Sequence, residues 1–293
     1  MKYFKDLRKI ILIPVVFLFM IVSCGKPNGP DVPSTPPPPP PPVSDTDLKS
    51  LPKDQGGVQT AVPLFNGIVY GHYVYTPSGY SSNQAYYPLL VYLHGSGDSG
   101  NSQLRPDALK RVLNYGPPEL INKKVWSPTY PMIVVSPQEV FKTFAPDSVH
   151  EFIKYIVSKY RINTHRIYLT GLSMGGISAY YYLSKYAKTG YVAASVPMSV
   201  RFDINHQPDT LNLVNFPIWT FCGGADAQVN QSVSIVNAIN GLKPTLKAKL
   251  TIFPGVGHNC WDLAYSGSGM GKEDKNYDPF KMDIYDWMFQ FAK

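Results

Sequence analysis

The sequence predicts an α/β fold, with one mostly parallel sheet and helices on both of its faces. Three observations carry that expectation. Short, wholly apolar segments recur along the chain, such as Leu89-Leu90-Val91-Tyr92-Leu93 and Met132-Ile133-Val134-Val135. Segments with apolar residues at helical spacing alternate with them, as at 149–160, where Phe152, Ile153, Ile156 and Val157 fall on one face. A strand that is apolar at every position is buried on both faces, and that is the setting of a parallel sheet between two helix layers.

The chain has 293 residues, 44% hydrophobic and 16% charged. That is enough apolar material for one large domain and too much for a disordered chain. The net charge is +7, but Lys2, Lys5, Arg8 and Lys9 all lie in the first nine positions. The remainder is close to balanced and holds no dense Lys/Arg stripe, so nucleic acid is not an expected partner.

Residues 1–23 read as a signal peptide: a basic start, the apolar run ILIPVVFLFMIV, then Ser23 and Cys24. The run is short for a membrane-spanning helix of ~20 residues and contains Pro14. Ile21-Val22-Ser23-Cys24 resembles the lipobox of bacterial lipoproteins, which makes Cys24 the expected lipidation site. Gly25 follows in place of the Asp that resembles an inner-membrane retention signal. The expected address is therefore the cell surface or periplasm, lipid-anchored, on the outer membrane. Residues 24–54 read as a linker, with an unbroken proline run at 36–42 that favours an extended, stiff spacer.

The catalytic domain is expected over 55–293. Strands are expected at 68–76, 89–93, 132–135, 166–170, 192–196, 218–221 and 250–253, and helices at 149–160, 174–186, 229–240 and 281–291. Reactive residues should collect at the carboxyl ends of the strands.

Gly171-Leu172-Ser173-Met174-Gly175 is the chain's single G-x-S-x-G. The bare pattern arises easily by chance, but here it follows an expected strand and opens an expected helix, the context of a nucleophile elbow. The turn is tight enough to require small residues two before and two after the serine, and Gly171 and Gly175 supply them. Ser173 is the candidate nucleophile.

Residues 168–176 (YLTGLSMGG) resemble the nucleophile region of α/β-hydrolases in the esterase group. That group includes poly(3-hydroxybutyrate) depolymerases, feruloyl and acetyl-xylan esterases and predicted peptidases. Leu93-His94-Gly95-Ser96-Gly97, the stretch from Pro217 to Asp226, and Gly257-His258-Asn259-Cys260-Trp261 agree with it. The resemblance implies an α/β-hydrolase fold and a Ser-acid-His order along the chain. Only His206 and His258 follow Ser173. His258 comes after the last expected strand in a Gly-rich loop and is the expected base, while His206 lies in a polar stretch. Asp226, after the strand at 218–221, is the expected acid, with Asp203 as the alternative. The oxyanion donors are expected to be the N–H of Met174 and that of Ser96.

Trp261, three residues past His258, is a candidate pocket wall. No zinc spacing, P-loop or dinucleotide fingerprint occurs, so no metal or cofactor is expected. A disulfide is expected between Cys222 and Cys260. Lipidation of Cys24 leaves these two as an even pair in an oxidising compartment, and the acid and base loops that carry them must converge.

The sequence thus points to a serine esterase acting outside the cell, with acyl groups on plant polysaccharide, feruloyl or acetyl, as the first substrate expectation. Polyester depolymerisation and peptide hydrolysis are the alternatives. The non-enzymatic alternative is a catalytically silent, glycan-binding surface lipoprotein on the same scaffold.

Overall fold

The computed structural model describes residues 46–141, 143–202 and 208–293. The signal peptide, Cys24 and the proline run lie outside the described residues, as do Asp203 and His206. Eight strands form one sheet: β1 (Val58–Val62), β2 (His72–Thr76), β3 (Tyr87–Leu93), β4 (Ile133–Pro137), β5 (Ile162–Leu172), β6 (Val192–Met198), β7 (Trp219–Gly223) and β8 (Lys249–Phe253). Their order is β1-β2-β4-β3-β5-β6-β7-β8. Strands β3 to β8 run parallel, and β1 and β2 form an antiparallel edge.

The central strands are buried at every position, which explains the unbroken apolar run at 89–93. Successive side chains alternate between faces. Leu89, Val91 and Leu93 therefore join one core with Ile133, Val135, Ile167 and Leu169, while Leu90 and Tyr92 join another with Val134, Tyr168 and Phe221. Helices α1 (Thr46–Lys49), α2 (Gly116–Asn122), α3 (Pro146–Lys159), α4 (Met174–Tyr186), α5 (Val229–Gly241), α6 (Trp261–Tyr265) and α7 (Ile284–Phe289) cover the sheet. The first core takes Phe152 and Ile156 of α3, Ala179 and Leu183 of α4, and Ile235 and Ile239 of α5. The second takes Leu48, Ile121, Trp261, Tyr265, Trp287 and Met288 from α1, α2, α6 and α7.

The folded body begins earlier than the sequence suggests. Residues 46–54, expected in the linker, pack on the domain. Leu48 is buried, and the Asp47 carboxylate holds Arg166 of β5 through two hydrogen bonds, from Nε at 2.7 Å and from Nη2 at 3.1 Å. Asp54 accepts the Tyr75 hydroxyl at 2.6 Å. Two elements are also shorter than expected. The strand expected at 68–76 starts at His72, because Gly71 is wedged against Leu64 and Ser102 in a loop. The helix expected at 281–291 spans Ile284–Phe289. The Asp283 carboxylate fixes its start by accepting the N–H groups of Tyr285 and Asp286, both at 2.8 Å.

The carboxyl ends of β3, β5, β6, β7 and β8 lie side by side along the parallel part of the sheet. The loops that leave them converge on one edge, and the candidate residues stand on those loops.

Candidate active site

Ser173 sits between β5 and α4 with φ 52° and ψ −116°, a conformation that costs a side-chain-bearing residue energy and persists only where its surroundings impose it. Here the packing imposes it. A Cβ on Gly175 would lie 1.9 Å from the Leu93 carbonyl oxygen, and one on Gly171 would lie 2.5 Å from the Gly175 carbonyl carbon. The helix start is therefore pressed onto the end of β3, and no larger residue fits at either position. The Ser173 N–H donates to the Met198 carbonyl at the end of β6, at 2.9 Å. The hydroxyl is thereby lifted out of the sheet at the head of a 13-residue helix.

The structure brings Ser173, His258 and Asp226 together from 85 and 32 positions apart. Ser173 Oγ is 2.9 Å from His258 Nε2. On the far side of the ring, His258 Nδ1 is 2.8 Å from Asp226 Oδ2. The Asp226 side chain is almost wholly buried, whereas that of His258 is 46% exposed. The second carboxylate oxygen of Asp226 accepts the Gln228 N–H at 3.0 Å. A carboxylate so placed accepts a hydrogen bond from Nδ1–H, which leaves Nε2 with a lone pair toward the serine hydroxyl.

The loop after β3 lies over the elbow. A Cβ on Gly95 would be 2.7 Å from Leu172 Cδ1 and 3.9 Å from Ser173 Cβ. His94 locks this loop from beneath. Its Nε2 accepts the Glu139 N–H at 2.9 Å, so the ring proton is on Nδ1, which donates to the Gly95 carbonyl at 2.6 Å. Burial pushes the His94 pKa down to about 4, which keeps the ring neutral. The Asp98 N–H also donates to the Gly95 carbonyl, at 3.1 Å. In a trans peptide the N–H points opposite to the carbonyl, so the two bonds on Gly95 aim the Ser96 N–H the other way. Met174 occupies the first helical position of α4, where an N–H has no acceptor within the helix.

Trp261, the candidate pocket wall, stands beside His258. It is 7% exposed, and its indole stands perpendicular to the His258 ring at 5.3 Å, backing the imidazole. Tyr115, 39% exposed, stands edge-on to Trp261 at 5.9 Å.

The disulfide expected between Cys222 and Cys260 is absent; both are buried free thiols. The loops do converge, but each sulfur has its own partner. Cys260 Sγ lies 3.2 Å from Ser199 Oγ, and Cys222 Sγ lies 3.5 Å from the Gly223 carbonyl. Burial raises both thiol pKa values, that of Cys222 to about 11, which keeps the reactive thiolate scarce. Sequence reasoning missed Ser199, Glu139 and Tyr115 here. None of them sits in a recognisable motif, and their roles arise from contacts 45 or more positions distant for the first two.

No protein-family model matches the chain, and no curated protein matches it by sequence. Solved structures do match. A ferulic acid esterase superposes with a TM-score of 0.53 at 20% identity, covering 72% of this chain and 95% of its own. The feruloyl esterase module from Clostridium thermocellum, complexed with sinapinate, gives 0.51 at 18% identity, over 85% of this chain and 92% of its own. The Staphylococcus aureus fluorophosphonate-binding serine hydrolase FphF gives 0.52 at 14% identity, over 80% and 99%. The eight-stranded, mostly parallel sheet with its flanking helices is thus the fold of α/β-hydrolase esterases.

Proposed function

We propose that the protein is a serine esterase that cleaves carboxylic esters outside the cell, with feruloyl or acetyl groups on polysaccharide as its substrates. The observation that carries this reading is the continuous hydrogen-bonded chain from Ser173 Oγ through the His258 ring to Asp226, with links of 2.9 and 2.8 Å. Ser173 Oγ attacks the ester carbonyl carbon as His258 Nε2 takes its proton. The N–H groups of Ser96 and Met174 hold the oxygen on which negative charge develops. Collapse of the tetrahedral species expels the alcohol, which takes the proton back from Nε2. Water, deprotonated by the same nitrogen, then attacks the acyl-enzyme, releasing the acid and restoring Ser173. Asp226 holds the productive tautomer and stabilises the imidazolium.

The half-exposed His258 and the exposed Ser96, Gly257 and Asn259 around it support a polymer-borne substrate, because a bulky alcohol portion can remain in solvent while its ester reaches Ser173. The feruloyl esterases among the similar folds support the acyl class. The lipobox reading of Cys24 and the proline-rich tether support a surface-anchored enzyme, which predicts that detergent partitioning is lost in Cys24→Ala. The test of activity is hydrolysis of p-nitrophenyl acetate, expected for the wild type and lost at least about a thousandfold in kcat in Ser173→Ala. Wild-type activity in that variant refutes the mechanism. Methyl ferulate, acetylated xylan and polyhydroxybutyrate, compared by kcat/KM, then rank the substrate classes.

A further inference from the structure

Ser199 is the first residue after β6 and is fully buried. Its φ is 48°, in the left-handed region that glycine enters freely and serine does not. The side chain is therefore held there against its backbone preference, and its contacts show what holds it. The hydroxyl donates to the His258 carbonyl at 2.7 Å. That proton being committed, the Cys260 thiol, 3.2 Å away, is the donor to Ser199 Oγ. The Ser199 N–H donates to the Phe221 carbonyl of β7 at 2.9 Å, and the adjoining Met198 carbonyl accepts the Ser173 N–H at 2.9 Å. One dipeptide, Met198-Ser199, is thus bonded to the serine elbow, to the strand that leads to Asp226, and to the backbone of His258.

We propose that Ser199 is a positioning residue for the Ser173–His258–Asp226 site, fixing the distance between the base loop and the elbow through its hydroxyl; this rests on the esterase reading above. The need for such a tie follows from the exposure of the base. The His258 side chain is nearly half in solvent and stands on an exposed loop, and among the described residues its carbonyl is held by two bonds, from Ser199 Oγ at 2.7 Å and from the Cys260 N–H at 3.0 Å. A base acts when its nitrogen stays within about 2.6–3.2 Å of the hydroxyl, and a displacement of about 1 Å costs on the order of a hundredfold in rate.

The test compares Ser199→Gly and Ser199→Ala in the full chain. Glycine removes the hydroxyl and relieves the backbone; alanine removes the hydroxyl and keeps the unfavourable φ. Both are expected to lower kcat for p-nitrophenyl acetate about 10- to 100-fold with KM within about threefold of wild type, and to slow fluorophosphonate labelling of Ser173 by a similar factor. Ser199→Gly is expected to melt no lower than Ser199→Ala. A purely structural role predicts the opposite pattern, with melting temperature lowered and kcat of the folded fraction retained. A folded Ser199→Gly with kcat within threefold of wild type overturns the proposal, as does failure of both variants to fold. Ser173→Ala run in parallel separates the two readings. If it is inactive while Ser199→Gly is fully active, only the positioning role falls; if it is fully active, both fall.

Discussion

Replacing Asp47 with alanine tests whether the segment before β1 belongs to the folded body. In the structure, Asp47 receives two hydrogen bonds from Arg166, at 2.7 and 3.1 Å, and one from Asn163 Nδ2 at 2.8 Å. The Arg166 side chain is 2% exposed and that of Asp47 is 22% exposed. Removing the carboxylate takes from a buried guanidinium the charge and the two hydrogen bonds that Asp47 supplies. Breaking such a pair typically costs about 3–5 kcal/mol. The partial exposure of Asp47 lets water reach the gap and places the cost near the lower end, about 3 kcal/mol, and the lost Asn163 bond adds about 1 kcal/mol at most. For a domain of this size each kcal/mol shifts the melting temperature by about 2–4 °C, so a fall of roughly 6–16 °C is expected in Asp47→Ala. Differential scanning calorimetry reads it directly. Asp47→Ala/Arg166→Met removes both charges and should recover part of the loss, since an apolar replacement leaves no buried charge. A single variant that melts within 2 °C of wild type refutes the reasoning and returns residues 46–54 to the linker.

Two further outcomes follow from the geometry of the site. Asp226→Asn keeps the shape of the side chain but can present its N–H to His258 Nδ1, which favours the tautomer with the proton on Nε2. It should lower kcat for p-nitrophenyl acetate by about 10³–10⁴ with little change in melting temperature, and a loss below tenfold would remove Asp226 from the acid's role. His94 takes up its proton near pH 4 when folded but near 6.5 when unfolded, so in that window the unfolded chain holds more protons and stability falls as the pH is lowered. Urea unfolding at pH 7 and pH 4 should show wild type losing about 3 kcal/mol more than His94→Asn, which has no imidazole to protonate; equal losses would contradict the buried, neutral His94.

The parts of the fold legible in the sequence are those where one local pattern decides the outcome. Leu89-Leu90-Val91-Tyr92-Leu93 is apolar throughout because both faces of β3 are covered. Ser173 is legible because the elbow demands glycine on both sides, a steric requirement written directly into residue type. By contrast, β1 is an edge strand whose Val58 is largely exposed, so it carries no alternation strong enough to read. Helix α2 opens on Gly116-Pro117-Pro118, residues that mark turns as readily as helix starts. The four-residue α1 is too short to show a period at all.

The free thiols of Cys222 and Cys260 mark where local sequence pattern stops deciding the structure. The acid and base loops do converge, since Asp226 and His258 meet and the Ala225 N–H donates to the Val256 carbonyl at 2.8 Å. Convergence of loops does not fix what each side chain on them faces. Ser199, a residue with no sequence signal, stands between the end of β6 and the base loop and takes the Cys260 thiol for itself. The same serine meets His258 across 59 positions, much as Asp47 meets Arg166 across 119. Each tie joins a residue that no local pattern marks to one in an otherwise readable element. Motif and periodicity therefore locate the residues of the candidate site, while the residues that hold them at bonding distance become visible only through the packing.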